Sequence, residues 1–260
     1  MGVPGGLERL SLPGAGDVCL AWASASALPE DDAWLTPAEA TILDRFRVTK
    51  RAADWRLGRW VGKEAVARAL RAGPDDAAGR RGGRGDELVV PAPSEIEILA
   101  GPGGGPRARI LTPGDWAPVS VSLSHSSGTG FAAATARTVR IGCDVEEIAP
   151  RSGEFVSDYF TAEEVAWIRA RGDEHASTPE HHVRSNLLWS AKESALKAVG
   201  EGLRKDTRSV VVDVEGLDAA NLGGAGDAWR PLRLTSADGS RFDGWWRVAD
   251  GLVWMVVGQG

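Results

Sequence analysis

Gly142-Cys143-Asp144-Val145-Glu146 and Trp189-Ser190-Ala191-Lys192-Glu193-Ser194-Ala195-Leu196-Lys197 decide the reading of this chain. Around the first, Val139, Ile141, Cys143 and Val145 alternate with polar or small residues, the period of a β-strand. Successive strand side chains point to opposite faces, so Asp144 and Glu146 point the same way. The second lies in a stretch, Leu187 to Val199, that reads as a helix. Trp189, Glu193 and Lys197 then share one helix face, one turn apart. Carboxylates from a strand, with a carboxylate and an ammonium from a helix, suit a hard divalent cation holding a phosphate-bearing substrate. Without a cation, carboxylates brought so close should raise at least one pKa among them.

The pattern extends in both directions. Upstream, residues 1–16 are rich in Gly and Pro and read as loose chain, and Val18 to Ala23 reads as a first strand. Thr36-Pro37-Ala38-Glu39 is a helix start, with Thr as cap, Pro in the first turn and Glu three residues on. Lys50 to Leu70 carries a second helix, and the Gly-rich residues 72–86 read as an exposed loop. Ile96 to Leu99 reads as a strand before another Gly-rich loop at 101–105. Val119 to Leu123 and Gly130 to Thr135 read as paired strands around Ser124-His125-Ser126-Ser127-Gly128.

Downstream, Thr161-Ala162-Glu163-Glu164 is a second capping box, opening a helix through about Ala170. A loop over 172–180 precedes the long helix at 182–199, which stops at Gly200 and Gly202. Val210 to Val214, Leu232 to Thr235, Gly244 to Val248 and Leu252 to Val257 read as antiparallel strands. Each half thus reads strand, helices, strands. The expected fold is α+β: two similar halves, residues 1–136 and 137–260, each an antiparallel sheet packed with helices, with a cleft between them.

Composition sets the class. The chain has 260 residues, 43% hydrophobic and 25% charged, a globular balance. Its two cysteines, Cys19 and Cys143, are far apart, which fits a reducing, cytoplasmic setting and no disulfide framework. His181-His182 has no cysteine nearby to make a zinc site. The N-terminus lacks the basic-then-apolar order of a signal peptide, and the apolar run Leu252 to Val257 is too short to span a bilayer. A net charge of -6 argues against nucleic-acid binding.

Taken singly, each motif has a structural explanation. Most Asp-x-Glu pairs are the solvent face of a strand, and Lys192-Glu193 is ordinary helix surface. Glu193 and Lys197 would serve as an i,i+4 surface pair, worth about 0.3–0.5 kcal/mol. Trp189 belongs in a core. The basic run that includes Arg45, Lys50, Arg51, Arg56, Arg59 and Lys63 reads as a solvated helix face.

Together the motifs are specific. Ser-Leu-Ser-His-Ser ending at Ser126, Ile-Gly-Cys-Asp-Val-Glu-Glu-Ile from Ile141, and Trp-Ser-Ala-Lys-Glu-Ser-Ala-Leu-Lys-Ala from Trp189 resemble the 4′-phosphopantetheinyl transferase superfamily. The likeness is to its larger, pseudo-dimeric type, which activates peptide and polyketide synthases. Phe160-Thr161-Ala162-Glu163-Glu164 is similar to the helix that the family places between the last two motifs.

The resemblance implies transfer of 4′-phosphopantetheine from coenzyme A to a serine of an apo acyl- or peptidyl-carrier protein, releasing 3′,5′-adenosine diphosphate. By carry-over, Asp144, Glu146 and Glu193 would hold Mg²⁺. Glu193 would also be the base that accepts the serine proton, and Lys197 would face the pyrophosphate. Ser124 and His125, with Arg51 and Arg59, would contact the coenzyme, above all its 3′-phosphate; Arg56 competes for that role. The Gly-Lys-Pro turn of many members is here Gly104-Gly105-Pro106, so Arg107 or Arg109 stands in for the lysine, or the contact is lost. Glu147 should face away from the acid pair. A chain holding both halves needs no oligomer, so a monomer is expected. The alternatives are a non-catalytic relative that binds coenzyme A or a carrier protein, and a metal-dependent phosphohydrolase.

Overall fold

The computed structural model describes residues 5–73, 90–112, 119–169, 178–200, 205–217 and 228–260. Most of the loop expected over 72–86, part of that over 172–180, and Gly202 lie outside them. It is an α+β fold, built on two antiparallel sheets that each carry a long helix.

The first sheet has the order β1-β2-β6-β5, with β1 Gly6–Leu12, β2 Gly16–Ser24, β5 Ser120–Ser126 and β6 Thr129–Thr135. Helix α1 (Pro37–Leu43) starts on the Thr36–Glu39 capping box, and α2 (Thr49–Ala72) packs on β2, β5 and β6. A separate ribbon, β3 (Ile96–Ala100) with β4 (Pro106–Ile110), lies beside β5. The second sheet has the order β7-β11-β10-β9-β8. Its strands are β7 Ile141–Glu147, β8 Val210–Val212, β9 Arg230–Ser236, β10 Arg241–Ala249 and β11 Leu252–Gln259. Helices α3 (Gly153–Tyr159), α4 (Ala162–Arg169) and α5 (Pro179–Ala198) cover it.

Three expectations are corrected. Residues 1–16 are not all loose, since Gly6–Leu12 is an edge strand in register with Gly16–Trp22. Leu7 and Arg9 point outward and Leu10 and Leu12 inward, an alternation thinned by the short segment and its glycines. The paired strands run closer together than Leu123 and Gly130: β5 continues through His125 to Ser126, so the β5–β6 turn is only Ser127-Gly128, both at positive φ (47° and 75°), as a two-residue hairpin requires. Helix α5 begins earlier than expected, because Thr178 caps it and Pro179 takes its first turn. Strand β4 and helix α3 are present in addition to the expected elements.

A buried ion pair occurs in both halves. In the second, Lys192 Nζ lies 2.8 Å from Glu164 Oε2, and both side chains are fully buried. The lysine also donates to Thr207 O and Val210 O, and Glu164 Oε1 accepts from Val212 N. In the first, Lys63 Nζ lies 2.6 Å from Glu39 Oε2, equally buried; it donates to Trp34 O and Pro93 O, and Glu39 Oε1 accepts from Ile98 N. Each glutamate belongs to a capping box and each lysine to a Trp-x-x-Lys-Glu run, at 60–64 and 189–193. The same clamp thus ties the capped helix, the long helix and a following strand together in each half.

One apolar cluster lies under α5 and another under α2. A third joins the two sheets, with Leu20, Phe131 and Ala133 meeting Cys143, Val145, Trp254 and Val256. The Trp254 ring meets Phe131 edge-on at 5.2 Å. Where β5 runs along β7, alternate serines make the join. Ser122 Oγ accepts from Cys143 N, Ser126 Oγ accepts from Glu147 N, and Ser120 Oγ exchanges bonds with Val139.

Candidate functional site

The site forms where this serine row meets α5. Gly142 lets the helix approach, since a Cβ there would lie 1.8 Å from Ser194 O. That closeness brings the Glu193–Lys197 face of α5 onto the Asp144 face of β7. Asp144 is 1% exposed. Its Oδ1 accepts from Ser124 Oγ at 2.7 Å and from Lys197 Nζ at 2.6 Å, while Oδ2 is buried with no partner. Lys197 Nζ also donates to Ser124 Oγ and Cys143 O and lies 3.6 Å from Glu193 Oε2.

Glu146 is held on both oxygens. Trp189 Nε1 donates to Oε1 at 3.1 Å, and Arg151 Nη2 reaches Oε2 at 3.3 Å. Arg151 in turn donates from Nε to Asn186 Oδ1 and stacks over Phe155 at 4.8 Å. Asn186 anchors that arginine by donating to Ala149 O and His182 O. Arg151 and Asn186 are residues the motif reading missed. A signal for Asn186 was available, since 186, 189, 193 and 197 fall on one helix face.

The electrostatics follow from crowding. Burial, then the charge of Asp144, pushes the Glu146 carboxyl up to about 7. Burial and Asp144 also raise Glu193, with Lys197 opposing. Burial alone would lower Lys197, but Asp144 and Glu193 outweigh it and raise the ammonium. Fully ionised, Asp144, Glu146 and Glu193 would outnumber Lys197 and Arg151 beside them, and the raised pKa values relieve that excess by favouring protonation.

Among the described residues no three His, Cys, Asp or Glu side chains close into a cage for an ion. Lys197 and Arg151 hold the acids instead. The donor set still fits a hard divalent cation: hard carboxylate oxygens, an orphaned buried Asp144 Oδ2, and acids whose raised pKa values come partly from one another.

A pH dependence follows, and its sign is set. A carboxyl raised from 4.5 to about 7 by folding favours the fold below pH ~4.5, and that contribution is lost as pH rises through about 7. For the metal-free protein this amounts to at most ~3 kcal/mol. A cation competes with those protons, so Mg²⁺ should raise the melting temperature more at pH 8 than at pH 5, against an EDTA control. An equal rise at both pH values would exclude Glu146 as a ligand.

The other expected residues are placed less directly. His125 is exposed on β5, opposite Gly130. Ser124 points at Asp144 and Lys197, so its hydroxyl serves the acids themselves. Arg51 is exposed on the first turn of α2. Arg59 is partly buried over the Trp55 ring at 4.7 Å, and burial lowers its pKa. Among the described residues, no hydrogen bond or ion pair joins either arginine to Ser124, His125 or the acids. Arg56 is held by Asp32. Arg109 is paired with the buried Glu97, whereas Arg107 lines a cleft of about 530 Å³ with Ser120, Arg140, Lys197 and Gly200. Glu147 is exposed and accepts from Ser127. No described helix is long and apolar enough to cross a membrane.

Residues 140–229 match the family model of the 4′-phosphopantetheinyl transferase superfamily, and the matched region contains Asp144, Glu146, Glu193 and Lys197. No curated protein matches the chain.

Proposed function

We propose, from the place of residues 140–229 in the 4′-phosphopantetheinyl transferase superfamily, that this chain moves 4′-phosphopantetheine from coenzyme A to a serine of an apo acyl- or peptidyl-carrier protein, with 3′,5′-adenosine diphosphate released. The observation that carries the reading is the convergence of Asp144, Glu193 and Lys197 beside Ser124, across the join of the two sheets.

In this reading Asp144, Glu146 and Glu193 hold Mg²⁺, which supplies charge neutralisation for the leaving phosphate. The chain's own groups do the rest. Lys197 places a compact positive charge beside the pyrophosphate. Ser124 and Arg151 fix the directions of Asp144 and Glu146. Glu193, with its pKa raised toward the working range, accepts the proton of the carrier serine. The coenzyme lies in the cleft that Arg107, Arg140 and Lys197 line. His125, Arg51 and Arg59, which are not among the residues lining that cleft, are the candidates for its 3′-phosphate. The division at residues 136 and 137 puts His125, Arg51 and Arg59 in one half and the three acids with Lys197 in the other, and the coenzyme lies across both. The setting is cytoplasmic and the protein a monomer.

The test is direct. The protein, coenzyme A, Mg²⁺ and an apo carrier protein are mixed and the carrier is weighed. A gain of one phosphopantetheine is expected. Coenzyme A breakdown without a change in the carrier would support a phosphohydrolase, and neither change would leave a binding protein.

A further inference from the structure

Asn186 is fully buried on α5, and each polar atom of its side chain has a partner. Its Nδ2 donates to Ala149 O at 2.7 Å and to His182 O at 2.8 Å. An amide nitrogen carries two hydrogens, so both are used, and the amide oxygen is left turned to Arg151 Nε, 2.8 Å away.

Arg151 comes from the segment between β7 and α3, and its side chain turns back toward the strand. Its guanidinium stacks over Phe155 at 4.8 Å and lies 5.9 Å from the centre of the Trp189 ring. With Nε held by Asn186 the plane of the group is set, and Nη2 reaches Glu146 Oε2 at 3.3 Å. Helix α5 thus aims Glu146 twice: directly through Trp189, and through Arg151 from Asn186, one turn earlier.

The first half supplies a control. Counted from the Trp-x-x-Lys-Glu runs, the place of Asn186 on α5 is that of Leu57 on α2. Both are buried. Leu57 belongs to the apolar cluster under α2, where the facing strands carry Ala21, Ala23, Ala132 and Ala134. Packing beneath such a helix accepts a leucine, whereas a buried amide is costly unless its polar atoms are satisfied. The asparagine stands in the half where a glutamate has to be held.

We propose that Asn186 and Arg151 are positioning residues that act in series. Asn186 sets the plane of Arg151, and Arg151 presents the Glu146 carboxylate to the other acids before an ion arrives. Neither touches the ion or the substrate. This role rests on the reading of Asp144, Glu146 and Glu193 as ligands of a divalent cation.

Mn²⁺ binding to the whole chain, followed by electron paramagnetic resonance, gives both the fraction of chains occupied at saturation and the dissociation constant. Asn186→Ala and Arg151→Lys each leave the charge of the site unchanged, so a change in affinity reports geometry. Lysine has no second nitrogen with which to hold Glu146 and Asn186 at once. Each variant should bind Mn²⁺ about tenfold more weakly than wild type. Because the two residues act in series, the double variant should also lose about tenfold, not a hundredfold. Wild type binding no Mn²⁺ would sink the ligand reading and the positioning role with it. Wild type binding Mn²⁺, with both single variants within about twofold of its dissociation constant, would overturn the positioning role alone, as would a loss of about a hundredfold in the double variant. Fewer occupied chains at an unchanged dissociation constant would mean that the residues serve stability only, and would equally overturn it. Should Asn186→Ala not fold, Arg151→Lys decides by itself.

Discussion

Lys192→Met is expected to destabilise the protein by about 3–5 kcal/mol, because it leaves Glu164 buried without its cation. The ammonium also satisfies Thr207 O and Val210 O, and methionine can satisfy neither. The volume is nearly conserved, so a cavity is not the cause. Adding Glu164→Gln should recover part of the loss: the amide oxygen can still accept from Val212 N, and no charge is stranded. Urea unfolding of the wild type, the single and the double variants measures all three. A single-variant loss below about 1 kcal/mol would show that the pair is dispensable.

Asp144→Asn is expected to lower transfer by at least ~10²-fold and to abolish Mn²⁺ binding, with the fold kept. The substitution is close to isosteric and removes only charge. Ser124 can still donate to the amide oxygen, and Lys197 retains Glu193 at 3.6 Å, so the ammonium is not left without an acid. What disappears is the anion most deeply buried among the three proposed ligands. Carrier mass and ion binding read the two losses separately. Near-wild-type transfer by a folded Asp144→Asn chain would place the chemistry elsewhere.

Much of this was legible in the sequence, for identifiable reasons. Long periodic stretches gave α2, α5, β7 and β11, and the capping boxes at Thr36 and Thr161 gave the starts of α1 and α4. Short elements with interrupted patterns were lost: β1, whose glycines and exposed Leu7 blur its alternation, β4 and α3. The repeated clamp was invisible for a physical reason. Lysine is ordinarily a surface residue, so in the sequence Lys63 and Lys192 look like solvated helix, and the spacers from Glu39 and Glu164 differ in length. At the site, strand and helix periods brought Asp144, Glu193 and Lys197 to the right faces. They could not show that Ser124 would serve Asp144, or that Arg151 would hold Glu146, because those contacts cross elements distant in the chain.

The apolar cluster shared by the two sheets bears on how the chain is made. Residues through Thr135 emerge first during synthesis, and they already contain a clamp of their own at Lys63. Once folded, they would offer Leu20, Phe131 and Ala133, with the row of serines from Ser120 to Ser126, as a preformed template. Strands β7 and β11 would then be laid against a surface rather than left to find one another. The acids of β7 reach their partners only at that docking step, so assembly of the candidate site reports that the second half has seated.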